Sequence, residues 1–246
     1  MINFSGISAS GFMGSVLRRI AKMVPKNIPL PIVQGHLKSW RWVLGSGVLG
    51  YWLGSYELDK QTLFVSVIKP GYVVFDVGAQ AGFYTLLASK LVAPIGKVFS
   101  FEPFPENVKN IKRHLELNHV TNVEVLALAV SNKSGEVGFA AGTSVFTGAL
   151  SESGTIKVKM EFLDNLLAMG KILPPNVIKM DIEGAEFSAL LGAKNILEKH
   201  KPIILLATHS AELKEKCLSL LARYGYIFSA PTGDVAISAE IIATPI

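Results

Sequence analysis

Val73-Val74-Phe75-Asp76-Val77-Gly78-Ala79-Gln80-Ala81-Gly82-Phe83-Tyr84-Thr85 is the stretch on which the reading of the fold turns. An apolar run carrying one acid passes straight into a glycine turn, and a helical pattern begins at Phe83. Strands buried on both faces read this way, because helices cover a parallel sheet above and below. Gly78 and Gly82 permit the tight turn and let a ligand approach the unpaired N–H groups at the helix start.

Outward from this turn, apolar runs alternate with helical segments, the pattern of βα units around a mostly parallel sheet. Strands are predicted at Val73 to Val77, Lys97 to Phe101, Val123 to Ala127, Val177 to Met180 and Ile203 to Ala207, with closing strands at Tyr226 to Ser229 and Glu240 to Ala243. Helices are predicted at Phe83 to Leu91, Pro105 to Asn118, Ala185 to Lys199 and Ala211 to Tyr224. Gly135 to Lys159, rich in small residues, reads as a hairpin-like insertion with short strands.

Residues 1–70 differ from the main domain, 71–246: glycine and proline are scattered among Trp40, Trp42, Tyr51, Trp52 and Tyr56. This N-terminal extension begins with Phe12, Val16, Leu17, Ile20, Met23 and Val24 at helical spacing, which predicts a short amphipathic helix packed on the main domain in preference to a membrane surface. Its aromatics are too numerous for a flexible tail and are expected to wall one side of a cleft.

The 246 residues suit one α/β domain with an appendage; half are hydrophobic and 17% charged, as in a folded globular chain. The glycine-broken apolar run Val43 to Leu53 falls short of the ~20 residues that a membrane helix needs. Met1 to Gly14 has no basic region ahead of an apolar core, so no secretory leader is expected. Cys217 is the only cysteine, which excludes an intrachain disulfide and a cysteine-ligated metal and suits a cytoplasmic location. The net charge of +5 comes without a dense basic block, so nucleic acid is not the expected partner.

Three acid-bearing segments carry the chemistry. Asp76 beside the glycine turn suits a ligand with positive charge next to a carboxylate, and S-adenosylmethionine (SAM), with its sulfonium and ammonium, is such a ligand. Glu102, in Phe101-Glu102-Pro103 at the end of the second main strand, lies where open α/β sheets bind ligands and can accept both hydroxyls of a ribose. In Lys179-Met180-Asp181-Ile182-Glu183-Gly184-Ala185-Glu186, Asp181 and Glu183 would face one side if the backbone stayed extended, while Glu186 reads as an acid balancing the helix dipole. Paired acids could hold Mg²⁺, but two carboxylates are a weak signature, so no metal is assigned.

The order of these motifs, with Phe99-Ser100-Phe101-Glu102-Pro103, Ala129-Val130-Ser131-Asn132 and the strand after Pro202, resembles the FkbM-type SAM-dependent methyltransferases over about residues 65–229. The resemblance implies a Rossmann-like class I fold with a seven-stranded sheet. It also implies the methionine end of SAM near Asp76, Gly78 and Gln80, ribose on Glu102, and adenine near Ala129 and Val130. Gly82, Phe83, Tyr84, Thr85 and Pro103 complete the expected cofactor set. Asp181 and Glu183 would then lie by the transferred methyl group. The family often has an acid after the strand that follows Pro202; here the chain continues Leu205-Leu206-Ala207-Thr208-His209, and His209 is the candidate to take its place. Asp181, Glu183 and His209 are the candidates for a general base, the resemblance implying O-methylation of a hydroxyl on a sugar or secondary-metabolite acceptor. Two other classes stay open: a nicotinamide-dependent oxidoreductase, disfavoured by the missing third glycine and by Asp76, and a non-catalytic SAM- or nucleotide-binding module.

Overall fold

The computed structural model describes residues 27–141, 148–150, 156–231 and 233–246. The expected amphipathic helix at Phe12 to Val24 lies outside them. In the N-terminal segment β1 (Pro29–Pro31) pairs antiparallel with β2 (Arg41–Val43), followed by α1 (Leu49–Leu53) and α2 (Leu58–Val67). The βα series then runs β3 (Val73–Val77), α3 (Phe83–Val92), β4 (Lys97–Phe101), α4 (Pro105–Leu117) and β5 (Val123–Leu126). Next come β6 (Ala129–Val130), β7 (Gly135–Ala141), β8 (Gly148–Leu150), β9 (Ile156–Glu161) and α5 (Leu163–Ala168). The chain closes with β10 (Val177–Met180), α6 (Glu186–Leu191), β11 (Ile203–Ala207), α7 (Ala211–Arg223), β12 (Tyr226–Ser229) and β13 (Glu240–Pro245).

Seven strands form the main sheet in the order β12-β13-β11-β10-β3-β4-β5. The five from β11 to β5 are parallel, and β13 runs antiparallel between β11 and β12. Side chains alternate across it, as a period of two requires. Val74, Val98, Val177 and Leu205 face a core shared with α3, α4 and the N-terminal residues Ile32, Trp42 and Phe64. Phe75, Phe99, Ile178 and Ile204 face the opposite core, built with Leu163, Leu190 and Leu221. Cys217 of α7 is fully buried in this second core. Among the described residues no helix is long and apolar enough to cross a membrane.

The predicted hairpin-like insertion is a second sheet of order β6-β9-β7-β8. The helix predicted over Ala185 to Lys199 is broken: α6 ends at Leu191 and a π-helical turn covers Ile196–His200. Gly192 between them packs so closely that a Cβ there would lie 2.1 Å from the Ser131 carbonyl oxygen. Asp164 starts the second piece, accepting from the amides of Asn195 at 2.8 Å and Ile196 at 3.0 Å. Both partners lie far away in sequence, so local periodicity could not reveal the break.

Candidate active site

A cleft with about 960 Å³ of empty space, part of it open solvent, lies at the carboxyl ends of β3, β4 and β10. Its central edge is the glycine turn. The amides of Gly78 and Ala79 donate to the Phe101 carbonyl at 3.0 and 3.1 Å, which fastens the turn to the next strand. Gly78 has φ +81°, and a Cβ on it would stand 1.9 Å from the carbonyl oxygen of Asp181, so only glycine lets the turn approach the end of β10.

Glu102 closes the floor. Its carboxylate accepts from the Gln80 amide at 2.8 Å and from the Phe104 amide at 2.9 Å, and it bonds the Asn107 side chain. Burial outweighs these bonds and pushes the Glu102 carboxyl up to about 7, with the charge of Asp76 adding to the rise.

Asp76, Gly82 and Thr85 do not line the cleft. Asp76 is fully buried; its Oδ2 accepts from the Thr85 hydroxyl at 2.7 Å, and its Oδ1 lies 3.3 Å from Nζ of Lys179. Lys179 also donates to the Gly78 carbonyl at 3.1 Å and sits 5.3 Å from the centre of the Tyr84 ring. Burial works to lower the Lys179 ammonium, but Asp76 and Asp181 outweigh it and the net shift is upward. Asp76 therefore supports the turn from below as half of an ion pair with Lys179, a partner that the sequence could not place beside it. Gly82 begins α3 at φ +92°.

Gly78, Gln80, Phe83, Tyr84, Glu102, Pro103, Ala129, Val130, Asp181 and Glu183 all line the cleft. So do Tyr51 and Tyr56, two of the aromatics named above, and Glu57, Asn107 and Lys179, which were not among the residues singled out. Tyr51 stacks on Phe83 at 5.0 Å between ring centres and donates to Oε1 of Gln80. The density of aromatics before Gly71 is the signal that this segment has a wall to build. An adjoining cavity shares Glu57, Tyr84, Lys179 and Asp181 with the cleft; there Lys60 bridges Glu57 at 2.8 Å and Glu240 at 2.5 Å.

The remaining acids gather round one imidazole. Strand β10 ends at Met180, and Glu183 (φ +53°) and Gly184 (φ +105°) turn the chain left-handed, so a turn and not strand alternation brings Asp181 and Glu183 together. His209, two residues beyond β11, places Nε2 3.5 Å from Oδ1 of Asp181 and 3.5 Å from Oε2 of Glu183. Its Nδ1 lies 3.1 Å from Oε1 of Glu186. Glu186 is fully buried and accepts from the amides of Ile182 at 3.0 Å and Gly184 at 3.1 Å. It stands in the first turn of α6, as expected, and in addition holds the turn and the imidazole together.

A family model described as the methyltransferase FkbM domain matches residues 76–228. Among curated proteins, the hexuronic acid methyltransferase AglP of Haloferax volcanii is 27% identical over 151 residues, 61% of this chain and 61% of the relative. A protein-L-isoaspartate O-methyltransferase of Pyrococcus horikoshii is 30% identical over 113 residues, 46% of this chain and 48% of the relative. The chain thus aligns with less than two thirds of each of these relatives. Among solved structures, a SAM-dependent O-methyltransferase of Thermotoga maritima superposes with a TM-score of 0.51 at 14% identity, covering 94% of this chain and 81% of the other. At that identity the likeness concerns the fold, the class I methyltransferase sheet.

Proposed function

Because this chain belongs to the FkbM methyltransferase family, whose cofactor is SAM, we propose that it methylates a hydroxyl oxygen of a carbohydrate or similar polyhydroxylated small molecule. The observation that carries this reading is the meeting of Asp181 and Glu183, which line the cleft, with His209, which does not line it but stands 3.5 Å from both carboxylates. A weakly acidic hydroxyl needs proton acceptors at that place, whereas an anionic acceptor would meet like charge from Asp181, Glu183, Glu57 and Glu240. AglP, named for a hexuronic acid, supports a carbohydrate acceptor, although that sugar carries a carboxylate and so does not support the choice of a hydroxyl.

The cleft suits SAM in its chemistry: a buried carboxyl on the floor, an apolar pair at Ala129 and Val130, and acids toward the other end. In this reading Glu102 accepts from the ribose hydroxyls, the Gly78 to Gly82 turn bounds the methionine end, and Ala129 and Val130 face the adenine. Bound SAM supplies a methyl group on a sulfonium: an oxygen–carbon bond forms as the carbon–sulfur bond breaks, and the electron pair leaves with sulfur. The chain's residues align and dehydrate the reacting pair. Tyr51 and Tyr56 exclude water from above, the adjoining cavity at Asp181 seats the acceptor, and the acceptor's proton passes to the Asp181, Glu183 and His209 set.

Calorimetry with SAM, S-adenosylhomocysteine and NAD, followed by mass spectrometry of glycans incubated with methyl-labelled SAM, tests this reading. The expected product carries label that survives mild alkali, as a methyl ether does. Label released by alkali marks a carboxyl ester and overturns the hydroxyl assignment; binding of NAD alone overturns the whole reading.

A further inference from the structure

We infer that Asp181, Glu183 and His209 form a binding site for a divalent cation of the Mn²⁺ or Mg²⁺ type, with Glu186 as the residue that orients the imidazole. The inference rests on reading this end of the cleft as the acceptor end.

The argument begins at Glu186. Its buried carboxylate can only accept, so the proton on the near ring nitrogen is fixed at Nδ1 of His209 and Nε2 faces the other way. There it meets Oδ1 of Asp181 and Oε2 of Glu183, both at 3.5 Å. Among the described residues neither carboxylate forms an ion pair with a lysine or arginine. Nε2 therefore faces two carboxylate oxygens at 3.5 Å, and of the two acids only Asp181 also feels the Lys179 ammonium.

A proton on Nε2 answers this poorly. Both oxygens stand beyond the ~2.7–3.2 Å of an N–H···O bond, and one proton cannot point at two acceptors. A metal ion answers it well: metal–ligand bonds of about 2.1 Å set neighbouring ligand atoms roughly 3.0–3.4 Å apart in octahedral or tetrahedral geometry. Among the described residues the ligand-capable atoms of Asp181, Glu186 and His209 all fall within 4.8 Å of one another; Glu183 is outside that group and approaches through its 3.5 Å contact with Nε2. A carboxylate on the far nitrogen of a ligating histidine is the usual supporting arrangement, and it raises the basicity of the ligating nitrogen. Two hard carboxylates with one imidazole suit Mn²⁺ or Mg²⁺, with water or acceptor hydroxyls taking the remaining positions. This also supplies the further ligand whose lack made the two acids a weak signature in the sequence, since His209 comes from a different strand end. Such an ion would offset the acids and make an acceptor hydroxyl easier to deprotonate.

The test is titration of the metal-stripped full-length protein with Mn²⁺, reading free Mn²⁺ by electron paramagnetic resonance, with SAM binding measured separately by calorimetry. The expected result is one site per chain that Mg²⁺ displaces. Asp181→Asn and His209→Gln should each weaken it by more than about tenfold, and Glu186→Gln by about 10- to 100-fold, as outer partners of metal ligands do. Circular dichroism checks that each variant is folded, and His209, partly exposed, is the safest of the three. Absence of a site, or a site that these substitutions leave unchanged, overturns the inference. If methyl transfer then proceeds in excess chelator, the proposed function stands without the cation; if SAM itself does not bind, the functional reading has failed.

Discussion

The backbone amide of Val43 donates to Nε2 of His114 across 3.1 Å. Since Nε2 accepts, Nδ1 carries the proton and donates to the Ala81 carbonyl at 2.9 Å. The ring stacks on Trp42 with centres 3.9 Å apart, so one buried imidazole joins the N-terminal hairpin to the loop that begins α3.

That joint should be sensitive to acid. Burial lowers His114 from the usual 6.5 to about 4, the Ala81 bond opposing the shift and Arg113 adding to it. A histidine depressed in this way contributes stability that is present above pH 6.5 and lost as pH falls through about 4. The shift corresponds to about 3 kcal/mol. His114→Phe keeps the stack but orphans two backbone groups, and should cost about 2–4 kcal/mol at pH 7. In urea unfolding the gap between wild type and variant should narrow as pH falls from 6.5 to 4. Taking the difference also removes the opposite trend of Glu102, whose raised carboxyl favours the folded state as pH falls from about 7 toward 4.5.

Gly78→Ala should be severe, because it combines left-handed strain with a collision against the Asp181 backbone. Strain of about 1 kcal/mol and overpacking of about 1–3 kcal/mol together predict a melting temperature lower by roughly 5 to 15 °C. Gly184→Ala is the control: its φ is also positive, but a Cβ there meets nothing within 4 Å, so strain alone is lost. Equal melting points for the two variants would show that the close approach is not what requires glycine at 78.

The Glu102 carboxyl at about 7 makes cofactor affinity depend on pH. Ribose hydroxyls donate best to the ionised form, so the dissociation constant for SAM should rise about tenfold between pH 8 and pH 6, as one-proton linkage requires. In Glu102→Gln the constant should be weaker at pH 8 and nearly flat over this range. Calorimetry at four pH values decides it; a flat wild-type profile would remove Glu102 from the ribose.

The parts legible in the sequence were those set by local pattern. The strand limits at Val73–Val77, Lys97–Phe101, Val177–Met180 and Ile203–Ala207 coincide with those predicted, because a doubly covered strand is nearly continuously apolar. The parts that were not legible depend on partners distant in sequence. Asp76 looked like a ligand acid because Lys179 pairs with it only through the β3–β10 register. Glu186 looked like an ordinary helix-start acid because His209 reaches it from the next strand. The aromatics of the N-terminal segment announced a wall, but not that Tyr51 would meet Gln80 of the glycine turn.

Cys217 gives the molecule a chemical clock. Burial, helped by the charge of Glu186, pushes its thiol up to about 12, so in the closed molecule the sulfur is neither ionised nor reachable at neutral pH. Modification must wait until α7 lifts from the sheet. The slow uptake of a thiol reagent therefore counts openings of the layer beside Glu186, and a ligand that steadies the far side of that carboxylate would be heard there as a slower tick.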